Sequence, residues 1–438
     1  MKMLSSGETR WIKNQMFRKS KSLSIKISGS FNMRPKVNKD AEGSDQIPLF
    51  PEGLLTEPIE ARVNYFKSYT IAHPLLMDAF SELIDNVFNP SNRTIQFLYG
   101  PSGVGKTTIF KKVKQVIIER SLPSLEADKG IIPYAALEAV APDNGSFDWK
   151  DFYIRLLEEL RDVAINHKVD FDAILNQNGF SNLRAQDPNR TLRKAVESTL
   201  RHRRPIVLMI DEAQHMMKMT SGKRLRNQMD SIKSLASQSN TPIVLIGTYE
   251  LLQFTNLSGQ LARRSDDVHF QRYRMENSQH MEWFESALYM FQKNMPLEVE
   301  PDLIGHTDFF YERCIGCIGT LKDWLAKTLE MKLLKGEKSL TIDDFKEYAL
   351  SIDQCIKMIR EAREGEMKLE ENDEKKRTLY NLLMANVMPN QNCDENDEQT
   401  YDHKPQSKGH SKKGKPGKRN PKRDSTEGSV KEGEQDAV

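Results

Sequence analysis

The stretch "GPSGVGKTT" combines backbone freedom with one lysine and two hydroxyls. Gly100, Pro101, Ser102, Gly103, Val104, Gly105, Lys106 and Thr107 satisfy the pattern G-x-x-x-x-G-K-[ST] in full, and Thr108 follows. Residues of these types, between an apolar run and a helical pattern, suit the binding of a nucleoside triphosphate. Phosphate oxygens must be met by several backbone N–H groups aimed at one point, and glycines let the chain fold round them without Cβ clashes. The following helix adds unpaired N–H groups and the positive end of its dipole. Lys106 supplies a mobile cation for the β- and γ-phosphates, and the Thr107 hydroxyl is a ligand for Mg²⁺.

A hundred residues on, "PIVLMIDEAQH" ends an apolar run in two acids. Asp211, at the C-terminal end of that strand pattern, is placed to hold Mg²⁺ through water. Glu212 is placed to orient or deprotonate an attacking water. Transfer of phosphate to a small molecule would not need this Asp-Glu pair, whereas hydrolysis does. The Asn-Lys-x-Asp pattern used for guanine is absent, so ATP is the expected nucleotide. Thr248 ends "VLIGT", where its hydroxyl can touch the γ-phosphate or the lytic water. Arg263 and Arg264 precede a fifth strand pattern, and an arginine delivered to a neighbour's γ-phosphate can add roughly 10³–10⁵ to turnover. Lys322, in the helix-opening "GCIGTLKDWL", could reach the phosphates from a second domain.

These residues need a sheet edge to converge. Five short β-type runs occur: "TIQFLYG" (94–100), "GIIPYAALEAV" (130–140), "PIVLMIDE" (205–212), "TPIVLIGT" (241–248) and "DDVHFQRY" (266–273). The third and fourth are nearly continuous apolar runs, the mark of strands covered on both faces of a parallel sheet. Between them lie amphipathic helical patterns, such as Trp149, Phe152, Tyr153, Leu156, Leu157 and Leu160 behind an N-capping Asp148. Leu225, Met229, Ile232 and Leu235 make another such face. The expected fold is therefore α/β, a five-stranded parallel sheet flanked by helices. After Tyr273 only helical patterns remain, one with the stripe Leu321, Trp324, Leu325, Thr328 and Leu329, and one starting at Thr341. Expected divisions are a basic arm at 1–56, an α/β core at 57–274, a small all-helical domain at 275–355, a charged and exposed helical extension at 356–388, and a tail at 389–438.

The chain has 438 residues, of which 38% are hydrophobic and 29% charged, with a formal net charge of only +2. That balance hides basic ends: Glu8 and Asp40 are the only acids of the first forty residues, and residues 404–423 have none. Such Gly-, Pro- and Ser-rich basic segments are expected to be disordered, acting as solubilising tails or as phosphate-contacting ones. No apolar run approaches the roughly 18 residues of a membrane span, and the N-terminus lacks the apolar segment of a secretory signal. Four cysteines are too few for a disulfide scaffold and fit a reducing compartment. Cys314 and Cys317 form a lone C-x-x-C with no second pair, so buried thiols are expected there rather than zinc.

The triphosphate loop, Asp-Glu strand, polar strand tip, paired arginines and helical lid together resemble the AAA+ ATPases over about residues 57–350. Within that class, "RVNYFKSYTIAHPLLMDAFSELIDNVFNP", "IDEAQHM", "VLIGTYELL" and "QLARR" are similar to the TnsC/TniB transposition regulators, relatives of the MuB ATPases. Two positions depart from that pattern: Ser265 follows the arginines where the family often has Phe, and Lys322 stands where it often has Arg. The resemblance implies a bacterial cytoplasmic protein that uses ATP and Mg²⁺ to form a ring or helical filament on double-stranded DNA. It implies as partners a transposase and a target-selecting protein or RNA-guided complex. A filament on any target reads phosphates, and the candidates are Arg184, Arg190, Arg193 and Lys194, then Lys223, Arg224 and Arg226. A replication initiator or helicase loader, and a protein-binding switch with no DNA role, are the alternative readings of the same core.

Overall fold

The computed structural model describes residues 49–89, 93–142, 145, 147–162, 188–217, 222–255 and 265–384. Residues 1–48 of the basic arm, the tail, Arg184, Arg263, Arg264 and Cys393 lie outside those residues. The chain divides into two compact units, residues 1–370 and 371–438.

In the first unit, α1 (Ile59–Ser68) and α2 (Pro74–Phe88) precede β1 (Ile95–Tyr99), and α3 (Lys106–Ala127) follows the glycine loop. The segment ahead of β1 thus forms two helices rather than one. Pro74 is the first residue of α2 and His73 its N-cap, accepting from the Leu76 N–H, because proline favours a helix start and forces the residue before it out of helical geometry. Then come β2 (Ala135–Glu138), α4 (Trp149–Glu159), α5 (Pro188–Arg203), β3 (Leu208–Asp211), α6 (Gly222–Ser239), β4 (Ile243–Gly247), the short α7 (Leu252–Thr255) and β5 (Ser265–His269). Asp148 caps α4 by accepting from the N–H groups of Lys150 and Asp151, and the inward faces predicted for α4 and α6 are buried apart from the half-buried Trp149.

All five strands pair in parallel in the order β2-β3-β4-β1-β5. The sheet's two faces feed separate apolar clusters. One holds Leu98, Met209, Val244, Ile246 and Val268 with α2 and α3. The other holds Phe97, Leu208, Ile210 and Leu245 with α4, α5 and α6. Burial on both faces is why β3 and β4 are unbroken apolar runs. In β1, however, Gln96 is fully buried and neither atom of its amide has a hydrogen-bond partner among the described residues.

The helical region comprises α8 (Ser278–Asn294), α9 (Thr307–Cys314), α10 (Ile318–Leu334), α11 (Ile342–Glu347) and α12 (Ile352–Leu369). The stripe of α10 is buried, and Thr341 forms a capping box with Asp344 at the start of α11. "CIGC" is a tight turn from α9 into α10. Gly316 (φ 76°) lies on the backbone of Tyr273, where a Cβ would come within 2.2 Å of the Tyr273 carbonyl. Cys314 and Cys317 are buried thiols, and burial pushes Cys317 up to about 12.

The charged stretch after residue 356 is not one exposed helix. α12 buries Cys355, Ala362, Gly365 and Glu366, while α13 (Asp373–Met384), in the second unit, buries nothing. Charge density suggested a solvated face. The structure instead pairs Glu366 with Arg272, a partner that follows β5 and is nearly a hundred residues distant in sequence.

Candidate nucleotide site

The sheet order places β1, β3 and β4 side by side, so their C-terminal tips deliver the glycine loop, Asp211–Glu212 and Thr248 to one edge. The loop's glycines are required by contact as well as by conformation. Gly103 (φ 74°) and Gly105 (φ 116°) occupy the left-handed region. A Cβ at Gly100 would lie 2.1 Å from the Phe270 carbonyl, and one at Gly103 would lie 2.0 Å from the Thr320 hydroxyl. The start of α10 therefore packs directly on the loop, and the Thr320 N–H donates to the Gly103 carbonyl at 2.8 Å.

Lys106 opens α3 and is 8% exposed. Its ammonium donates to the Gly100 and Pro101 carbonyls at 3.0 and 2.8 Å. Burial holds its pKa below the usual lysine value, and Glu212, Cys317 and Asp211 oppose that. A buried cation resting on two neutral carbonyls fits a site for an anion, because phosphate oxygens offer it charged acceptors in a medium of low dielectric.

Asp211 is buried at the tip of β3, in register with Glu138 of β2. Burial raises its pKa, the Glu212 N–H lowers it by donating to Oδ1 at 2.9 Å, and Glu212 and Glu138 add repulsion. These acids at the tip of β3 and the exposed hydroxyl of Thr107 on α3 are of the oxygen-donor type that suits a divalent cation, which Thr107 and Asp211 would hold. Glu212 adopts φ 50°, a left-handed conformation uncommon outside glycine and costing about 1 kcal/mol or more. The Thr248 hydroxyl is buried and has no hydrogen-bond partner among the described residues.

The other described candidates lie on α10, α5 and α6. Lys322 is half-buried on α10, where burial lowers its pKa and the charges acting on it are Asp323 and Lys111 of α3. On α5, Arg190 and Lys194 are exposed, whereas Arg193 pairs with Glu197 at 3.0 Å. Arg226 is exposed on α6, and the side chains of Lys223 and Arg224 lie outside the description.

Several residues that sequence reasoning missed also converge here. Gln214 spans Glu212 and the tip of β4. Phe270 stacks on His73 and closes the back of the loop. Tyr249, next to Thr248, bonds His269 at 2.8 Å and supports Gly365 of α12. Gln214 and Tyr249 lay within quoted motifs, His73 within a quoted helical stretch, and Phe270 and His269 within a quoted strand pattern. None of them shows a role at the loop until the fold brings it there.

Residues 89–254 match the family model of the AAA domain. That stretch carries β1 to β4 of the five-stranded parallel sheet, and the helical region lies C-terminal to the sheet. No curated protein matches the chain. Among solved structures, the Walker-type ATPase of Pyrococcus abyssi is similar at 16% identity and a TM-score of 0.36, over 69% of this chain and 75% of that one. The ORC2 protein of Aeropyrum pernix, solved as ADPNP–ADP complexes, gives 13% and 0.36 over 71% of each chain. Domain III of the Thermotoga maritima replication initiation protein DnaA gives 14% and 0.34 over 68% of this chain and 97% of that one. Among the described residues, no helix is long and apolar enough to cross a membrane.

Proposed function

We propose that the chain binds and hydrolyses ATP at the tips of β1, β3 and β4, and that it works as an oligomer on double-stranded DNA to regulate transposition. The observation that carries the ATPase reading is the convergence on one sheet edge of a buried lysine with no counter-ion in bonding contact, two adjacent acids and a buried hydroxyl with no partner, all among the described residues. Loop N–H groups and Lys106 bind the phosphates and orient the terminal one. A Mg²⁺ ion, held by Thr107 and by Asp211 through water, neutralises phosphate charge when bound. Glu212 accepts the proton of the attacking water. Thr248 donates to the γ-phosphate or holds that water.

The transposition reading rests on the resemblance of "IDEAQHM", "VLIGTYELL" and "QLARR" to the TnsC/TniB regulators and on the basic ends. In this reading Arg263 or Arg264 of one copy completes its neighbour's site, Lys322 attends the phosphates, and Arg184, Arg190, Lys194, Lys223, Arg224 and Arg226 contact DNA phosphates. Arg193 joins them on leaving Glu197. A transposase and a target selector are its partners in the bacterial cytoplasm.

The test is sedimentation with plasmid DNA at low salt. ATP-loaded protein should pellet with DNA, Glu212→Gln should stay bound for longer, and retention should fall with salt at a slope near 0.9 per neutralised phosphate. ATP turnover with no DNA retention would remove the DNA role and leave a protein-binding switch. Absence of Mg²⁺-dependent nucleotide binding would remove both.

A further inference from the structure

We propose that Gln214 is a positioning residue that locks the carboxylate of Glu212 to the tip of β4, so that the catalytic base and the Thr248 sensor act as one unit. The proposal rests on the ATPase reading of Glu212. Gln214 lies in the short 3₁₀ turn Ala213–Met217 that follows β3 and is 5% exposed. Its amide uses both ends. Nε2 donates to Glu212 Oε2, and Oε1 accepts from the Thr248 backbone N–H at 3.3 Å. The side chain therefore bridges two strand tips at the point where the water-activating acid and the phosphate-sensing hydroxyl meet.

The strand is shaped to admit this bridge. A Cβ on Gly247 would come within 2.2 Å of Gln214 Oε1 and 3.0 Å of Leu251 Cδ1. The amide therefore lies directly on the backbone of β4, and only glycine at 247 allows it. On the other side, Glu212 has a left-handed backbone, pinned by the His215 N–H donating to its carbonyl at 2.9 Å. A strained backbone fixes where the carboxylate starts, and Gln214 fixes where it ends.

The chemistry requires this residue type. The amide donates to a carboxylate at one end and accepts from an N–H at the other. Glutamate at 214 keeps the acceptor but sets two carboxylates against each other, and leucine keeps the volume but loses both bonds. With the bridge intact, a displacement of the β4 tip on γ-phosphate contact reaches Glu212 through one rigid side chain.

The experiment is a double-mutant cycle on the full chain with Mg-ATP, reading single-turnover hydrolysis and, separately, nucleotide affinity from a fluorescent ATP analogue. Gln214→Leu should lower the hydrolysis rate about 10–100-fold, with affinity within about threefold of wild type. Gln214→Glu should be at least as slow, and Gly247→Ala, which displaces the amide without removing it, should reproduce the defect. In a Glu212→Gln background, Gln214→Leu should cause no further loss, because its effect passes through Glu212. A full multiplicative loss in that background, or normal hydrolysis by Gln214→Leu, overturns the proposal. If Glu212→Gln alone hydrolyses normally, the assignment of Glu212 as base falls and the proposal falls with it. That result is distinguished by the single Glu212 variant alone.

Discussion

Removing the carboxylate of Glu366 should release α12 from the α/β core. Arg272 and Glu366 are 3% and 6% exposed at their side chains, with Nε 3.0 Å from Oε1 and Nη2 3.2 Å from Oε2. Arg274 adds contacts at 3.7 Å to Glu366 and 3.6 Å to Glu370. Burial tends to lower the Arg272 pKa, but Glu366 reverses this and leaves it raised, so the guanidinium stays charged. Glu366→Ala therefore strands a buried cation. Breaking such a pair from one side costs about 3–5 kcal/mol, a large part of the roughly 5–15 kcal/mol that stabilises a folded domain. At a few degrees per kcal/mol, the melting temperature should fall by roughly 6–15 °C. Hydrogen exchange should show residues 352–369 losing protection first, since Gly365 rests on Tyr249 only while α12 is docked. Arg272→Met combined with Glu366→Leu removes both charges and should recover most of the loss. A melting temperature within about 1 °C of wild type for Glu366→Ala, or a double variant no better than the single, would refute the reasoning.

Thr248→Val keeps shape and loses only a hydroxyl that has no protein partner. Its thermal melt should be unchanged while ATP turnover falls roughly 10²-fold, and equal turnover would place the γ-phosphate elsewhere. Gln96→Met removes a buried amide with no partner at nearly constant volume, so denaturant unfolding should show a gain of about 1–3 kcal/mol. His73 is buried, its Nδ1 accepts from the Leu76 N–H and faces the Tyr273 hydroxyl at 2.9 Å, and burial lowers its pKa from 6.5 to about 3. The unfolded chain therefore binds the proton first, so this contribution is complete above about pH 6.5 and is lost as pH falls toward 3, amounting to about 2 kcal/mol by pH 5. His73→Asn, which can still cap α2, should flatten stability between pH 7 and 5 by about that amount in a calorimetric pH series.

Much of this site was legible in the residues because its chemistry is local. A loop that wraps phosphates needs glycines at fixed offsets from Lys106, and a strand tip beside it needs Asp211 and Glu212. Such constraints act over ten residues and leave a readable pattern. The five strands were also legible, β3 and β4 most plainly, since burial on both faces demands continuous apolar runs. The clamp between Arg272 and Glu366 was not legible, because a charged residue paired across nearly a hundred positions has the same letter as one facing water. The bridging role of Gln214 was hidden for a related reason. Its letter stood in a quoted motif, but its partner is the backbone of a different strand.

The sequence by itself determined the phosphate-binding loop, the acids at the end of β3 and the alternation of strand and helix, all of which follow from short-range sterics and periodic burial. Only the tertiary structure decided the strand order β2-β3-β4-β1-β5, the packing of α10 on the loop and of α12 on Tyr249, and the neighbours of each charge. Those depend on contacts between segments far apart in the chain, where side-chain identity sets what can pair and the fold alone sets what does.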